Sequence, residues 1–338
     1  MLFGEKMTKY KNIPIFVAHK GCPNDCVFCN QVKISGAKDE IDEKNLRRIL
    51  DDSVLKIGDK ETQIAFFGGS FTGIDRDVMI KYLCVAHEYV KKYNLKGIRL
   101  STRPDYIDSE ILGILKKYGV KTIELGVQSM NDLVLKKNER NMTSEIIKNS
   151  CRMIKENGFT LGVQLMTSMY GSDTKTDIYS AYEAVKLKPD FVRIYPTVVI
   201  EGTKLWEFYR CREYKTKTLD ETVDICARML GIFHDNGIEV IRIGLMTNED
   251  INCENVKGAY HPAFGELVFS KRYYDLISKK IEGMETNNKV LTIVCKNSLV
   301  SKIAGQKRLN INKLKKEYGF SDVKFRYSDN DEIKTEIS

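Results

Sequence analysis

Long apolar runs are missing from this chain. No stretch of its 338 residues approaches the roughly 18–20 consecutive apolar residues of a membrane span, and the opening MLFGEKMTKYKN lacks the apolar core of a secretory signal. No membrane partner is expected, and the cytoplasm is the expected compartment. A disulfide framework is missing too. Of nine cysteines, Cys84, Cys151, Cys211, Cys226, Cys253 and Cys295 stand singly, which excludes the spacing of a stapled secreted domain. Histidine is scarce, with four residues, and Trp206 is the single tryptophan. Neither sign of charge dominates: 54 basic against 46 acidic residues leave +8, an excess that suits a polyanionic partner without requiring one. Internal repeats and low-complexity segments are absent, and the length allows one large domain plus a smaller one.

What is present is a cysteine cluster. Cys22, Cys26 and Cys29 follow the apolar run 13–18 with the spacing C-x3-C-x2-C. Three thiolates on one tight loop can hold three corners of a cubic iron–sulfur cluster and leave the fourth iron open to an outside ligand. The alternative is a zinc site completed by His19.

From residue 13 to 196 short β-type runs alternate with helical patterns. Strands are expected at 13–18, 63–67, 97–101, 122–126, 161–165 and 191–195, and helices at 40–57, 76–93, 108–118, 143–157 and 174–187. Asp39, Asp75 and Thr143 are the expected N-caps. This alternation implies a parallel sheet with helices outside it. The unusual residues all fall at or just beyond strand C-terminal ends, where such sheets build their sites: the cysteine loop, Gly68-Gly69-Ser70, Ser101 with Arg103, Gln128, and Gln164. Six units imply an α/β fold built on a partial (β/α)6 TIM-like barrel. After Pro196 the alternation stops, and a smaller α+β C-terminal domain follows. The expected division is 10–205 and 206–330, with the last dozen residues frayed.

These motifs resemble the radical S-adenosylmethionine (SAM) superfamily. The cysteine spacing, with aromatic Phe28 before the last cysteine, is similar to that family's cluster motif. The resemblance implies a 4Fe–4S cluster on Cys22, Cys26 and Cys29, with SAM on the open iron and cleaved to a 5′-deoxyadenosyl radical. Gly68-Gly69-Ser70 resembles the family's turn that binds the methionyl amine. Ser101 stands where many relatives carry a ribose-binding Glu, with Thr102 or Arg103 as a neighbouring substitute. Gln128 and Arg140 are similar to a pair in the oxygen-independent coproporphyrinogen oxidase branch that contacts ribose and carboxylate, and Gln164 to a further ribose contact.

Within the superfamily, Ser101–Asp105, Glu124–Ser129, Ile194–Thr203 and Arg242–Leu245 are similar to motifs in the radical SAM portion of the Elongator catalytic subunit, a tRNA-modifying enzyme. That subunit has a longer gap between its first two cluster cysteines and carries an acetyltransferase domain. Its acetyl-CoA-dependent reaction is therefore not expected here. The resemblance implies an enzyme acting in tRNA modification and an external electron donor of flavodoxin or ferredoxin type. The competing readings are a small-molecule radical SAM oxidoreductase and a non-catalytic SAM- or RNA-binding protein. Residues 296–316 carry seven basic and no acidic residues, either a solvated helix face or a phosphate-binding stripe for tRNA. His261, in a Gly/Pro/aromatic loop, is either a proton donor or acceptor near substrate or a loop-shaping imidazole. No residue is singled out as catalytic.

Overall fold

Apolar residues at every second strand position build the sheet that organises this molecule. The computed structural model describes residues 11–17, 26–30, 41–245, 251–252, 254–330 and 332–338. Its order is β1 (Asn12–Phe16), α1 (Glu43–Ile57), β2 (Gln63–Phe67), α2 (Arg76–Lys92), β3 (Gly97–Thr102), α3 (Ser109–Lys117), β4 (Val120–Gln128), α4 (Asp132–Lys137), α5 (Ser144–Glu156), β5 (Thr160–Thr167), α6 (Thr174–Lys186), β6 (Phe191–Pro196), β7 (Val198–Ile200), α7 (Lys204–Arg210), α8 (Leu219–Asp235), β8 (Glu239–Ile243), β9 (Val256–Gly258), α9 (Phe264–Ile281), β10 (Val290–Cys295), α10 (Val300–Ala304), α11 (Leu309–Tyr318), β11 (Asp322–Tyr327) and β12 (Lys334–Ile337).

The main sheet is parallel throughout and runs β1-β2-β3-β4-β5-β6-β8, a curled half-barrel. It has seven strands where the sequence pattern predicts six. The seventh, β8, comes from beyond residue 205, so the expected division at 205/206 cuts the sheet. Side chains alternate along each strand. Ile98, Leu100, Ile123, Leu125, Leu161, Val163, Val192 and Ile194 are fully buried in the core under the helices, each worth about 1.5–3 kcal/mol of burial. The opposite face carries Arg99, Glu124, Gln164 and Arg193 into the barrel interior.

Capping fixes the helix starts. Asp42 accepts from the Asn45 N–H, Asp75 from those of Asp77 and Val78, and Thr218 and Glu221 form a reciprocal capping box on α8. The N-cap of α1 is therefore Asp42, one helical turn beyond the expected Asp39. Helix α4, absent from the sequence reading, is too short for its pattern to stand out from the surrounding loop.

A second core joins α9 to α10, α11 and the three-stranded sheet β11-β10-β12. Helix α9 serves both cores: Phe264 and Val268 pack in the first, Tyr273, Ile277 and Ile281 in the second. The last residues are not frayed. Strand β12 pairs antiparallel with β10, and the adjacent Ile333 is 3% exposed, so one buried apolar anchor outweighs the polar composition. Among the described residues no helix is long and apolar enough to cross a membrane.

Candidate active site

The cysteine segment is tied down from two sides. Val27 donates its N–H to the Asn138 carbonyl at 3.3 Å and accepts from the Leu205 N–H at 2.8 Å. The Cys29 N–H donates to the Cys26 carbonyl at 2.8 Å, which folds the segment into a turn. Beneath it, Val27 and Phe28 pack with Val134, Met169, Val199 and Leu205 in a small separate core. Cys26 is buried and Cys29 half-buried. Cys22, and His19 of the zinc alternative, lie outside the described residues.

Two arginines converge on the Cys26 sulfur. Arg140 Nη1 donates to Sγ at 3.4 Å and Arg103 Nη1 at 3.9 Å. Each guanidinium is held from its far side. Arg103 makes a two-pronged pair with Asp105 at 2.9 and 2.8 Å, and Arg140 donates through Nη2 to the Gly126 carbonyl. Both are nearly fully buried, at 3% and 4% exposure. They set fixed positive charge beside an atom that must be a thiolate to bind a metal.

The strand ends complete the rim. Gly68 has φ of +96°, and a Cβ there would stand 3.3 Å from the Val17 carbonyl oxygen, so a side chain would be both strained and crowded. Gly69 follows it half-buried, and Ser70 is buried at the start of the short turn Phe71–Gly73. Gln128 closes β4 at φ +68°, beside a register irregularity between β4 and β5. A non-glycine residue held there is locally strained. Its amide oxygen is buried and has no hydrogen-bond partner among the described residues. Ser101 and Gln164 meet across the interior, the Gln164 amide donating to Ser101 Oγ at 3.3 Å and to Glu124 Oε2 at 3.1 Å.

The sequence reading missed the charged floor. Glu124, with no solvent exposure, receives Arg193 at 2.8 Å (Nε to Oε2) and 3.0 Å (Nη2 to Oε1), and Arg99 Nε lies 3.4 Å from Oε1. Arg99 stacks on the Phe191 ring at 4.8 Å. Burial pulls the Arg193 pKa down, but the charge of Glu124, together with Tyr195 and the hydrogen bonds to both, holds it above its ordinary value. The available signal was a charged residue at the interior-facing position of an otherwise apolar strand. Asp177 of α6 was also missed. It accepts from the Ser168 N–H at 2.8 Å, at the loop after β5, and burial pushes its carboxyl up to about 6.

His261 and the basic run are placed by other parts of the fold. The Ala263 N–H donates to His261 Nδ1 at 3.0 Å, which makes the imidazole a loop-shaping acceptor. The basic run lies on the second core, around α10 and α11.

Comparison with known proteins places the chain. The family profile described as the radical SAM superfamily matches residues 17–183, and that of the radical SAM C-terminal domain matches 189–274. The tRNA uridine(34) acetyltransferase of Methanocaldococcus jannaschii is 35% identical over 129 residues, covering 37% of this chain and 24% of that protein. Elongator complex protein 3 of Dictyostelium discoideum is 28% identical over 203 residues, covering 54% and 36%. The chain thus matches about a quarter to a third of the length of these curated relatives. In fold it is similar to the N-terminally truncated Elp3 of Methanocaldococcus infernus, with TM-score 0.61 and 21% identity over 80% of this chain and 63% of that one. It is also similar to methylornithine synthase, with TM-score 0.51 and 15% identity over 75% and 76%. The chain belongs to the radical SAM superfamily, enzymes that work with a 4Fe–4S cluster and S-adenosylmethionine.

Proposed function

We propose that this enzyme cleaves SAM reductively at its cluster and directs the radical to a nucleotide of tRNA. The observation that carries the site is the meeting of two buried arginines on Cys26, next to a strained glutamine whose amide oxygen lacks a partner. These features fit the cofactors. The arginines balance the charge of a thiolate-ligated cluster, the unpaired Gln128 oxygen awaits a hydroxyl or ammonium donor, and Gly68 leaves bare backbone for close approach. When bound, the cluster and SAM supply the one-electron cleavage that yields a 5′-deoxyadenosyl radical, chemistry no side chain provides.

The chain's own residues then position and shield. Cys22, Cys26 and Cys29 hold three irons, with Phe28 packing the loop. Gly68, Gly69 and Ser70 receive the methionyl amine, Gln128 and Arg140 the ribose and carboxylate, and Ser101 with Gln164 the ribose from across the interior. Arg103, clamped by Asp105, keeps its charge at Cys26. An external flavodoxin- or ferredoxin-type donor in the cytoplasm supplies the electron.

The tRNA reading draws on the names of the relatives and on the basic surface. In space the basic run divides. Lys315 pairs with Asp322 at 3.2 Å, while Lys313 pairs with Glu317 at 3.7 Å and lies over the Tyr274 ring. Lys307, Arg308 and Lys316 are exposed, with no acidic partner among the described residues. These three are the phosphate contacts. In filter binding to tRNA, K307E/R308E/K316E lowers affinity and flattens its dependence on log salt by roughly 2–3. Unchanged affinity and slope would remove the RNA reading of this surface.

A further inference from the structure

The barrel interior holds one more cation than its own chemistry uses. Strands β6 and β8 pair Phe191 with Glu239 and Val192 with Val240, then the register slips and Arg193 faces Arg242. Without that slip Ile241 would stand opposite Arg193. The irregularity therefore sets two guanidinium groups on neighbouring strands, roughly 5 Å apart at the backbone, an arrangement of like charges that costs stability.

Arg193 is compensated by Glu124, whose two oxygens are already shared with Arg99 and Gln164. Arg242 is not compensated. Its Nε donates to the Gly244 carbonyl at 3.3 Å, and among the described residues it has no carboxylate partner. Glu239, at the opposite end of β8, is about 10 Å away along the strand. Burial, and then repulsion by Arg193, hold the Arg242 pKa below its ordinary value, with Tyr195 opposing. Tyr195 reaches into the same corner, its hydroxyl 3.5 Å from Arg193 Nη1. A half-buried guanidinium with both terminal nitrogens unspent, at the C-terminal end of a barrel strand, is a two-pronged receptor for an oxyanion.

We propose that Arg242, with the Tyr195 hydroxyl beside it, seats a phosphate group of the substrate inside the barrel. This deepens the nucleotide reading above and rests on it for the choice of phosphate. Arg242 then recognises the substrate while the residues around Cys26 serve the cofactors.

The test uses the reconstituted full chain in a K307E/R308E/K316E background, so that the outer basic surface is silent. Inorganic phosphate at about 20 mM raises the melting temperature by roughly 2–4 °C over sodium chloride of equal ionic strength. Acetate does not. R242Q melts at or above its parent in chloride, because an uncompensated cation is gone. It also loses the phosphate-specific gain and keeps its affinity for SAM. The proposal is overturned if the parent shows no phosphate-specific gain, if acetate matches phosphate, or if R242Q keeps the gain. It is equally overturned if R242Q melts several degrees lower, which would make the guanidinium structural, or loses SAM affinity, which would assign it to the cofactor. None of these readouts requires turnover, so they stand apart from whether SAM is cleaved.

Discussion

Replacing Glu124 by glutamine changes almost no volume, yet it should be among the most damaging substitutions in the barrel. Both carboxylate oxygens are in use: Oε2 takes Arg193 Nε and the Gln164 amide, and Oε1 takes Arg193 Nη2 and lies beside Arg99 Nε. Glutamine keeps one acceptor and turns an amide donor toward a guanidinium. Arg99, with no exposure, and Arg193, at 13%, then remain as buried cations without a counter-charge. Removing one partner of a buried pair costs about 3–5 kcal/mol. At about 2 °C per kcal/mol for a chain of this size, E124Q should melt about 6–10 °C below wild type by far-ultraviolet circular dichroism. Adding Arg99→Met should cost less than the sum of the single effects, because one stranded charge is then removed. An E124Q melting point within about 1 °C of wild type would refute the claim that this carboxylate neutralises the barrel floor.

Two further outcomes follow from buried polar groups. Gln128→Ala removes an amide whose oxygen has no partner, so stability should hold or rise while affinity for SAM, measured by calorimetry on the reconstituted protein, falls about tenfold, the worth of about one hydrogen bond. Lower stability with unchanged SAM affinity would make the glutamine structural. Asp177 is raised from 3.8 to about 6, so its contribution to stability is complete below about pH 4 and fades as pH rises through about 6. Relative to wild type, D177N should therefore gain up to about 3 kcal/mol between pH 4 and pH 7 in urea titrations. A difference that does not vary with pH would contradict the shift.

The sheet was legible because β1 to β6 recur with helices between them and place apolar side chains at alternate positions. Residues 239–245 read as a strand, matching β8, but its place in the main sheet escaped because it follows two consecutive helices, α7 and α8, and an antiparallel excursion through β7, so nothing local marks it as the seventh member. Strand β12 escaped because its composition is polar and a single buried residue, Ile333, anchors it. In the site, Gly68, Gln128 and Gln164 were readable as odd residues at strand ends. Arg99, Glu124 and Arg193 occupy equally odd positions, but their chemistry depends on which neighbours the curl brings together. The pairing of Arg193 with Arg242 depends on a slip of register that no residue pattern announces. Likewise, the seven cations of the basic run looked uniform in sequence, and only packing separated Lys313 and Lys315, met by Glu317 and Asp322, from the exposed Lys307, Arg308 and Lys316.

The central claim is that this strand-end site turns SAM into a radical source. After anaerobic reconstitution with iron and sulfide and reduction by dithionite, chromatography of the SAM reaction should show 5′-deoxyadenosine, and Cys26→Ser should abolish both the cluster absorbance and the product. A fully loaded, reduced cluster that yields no 5′-deoxyadenosine from SAM, with tRNA present, would contradict the account.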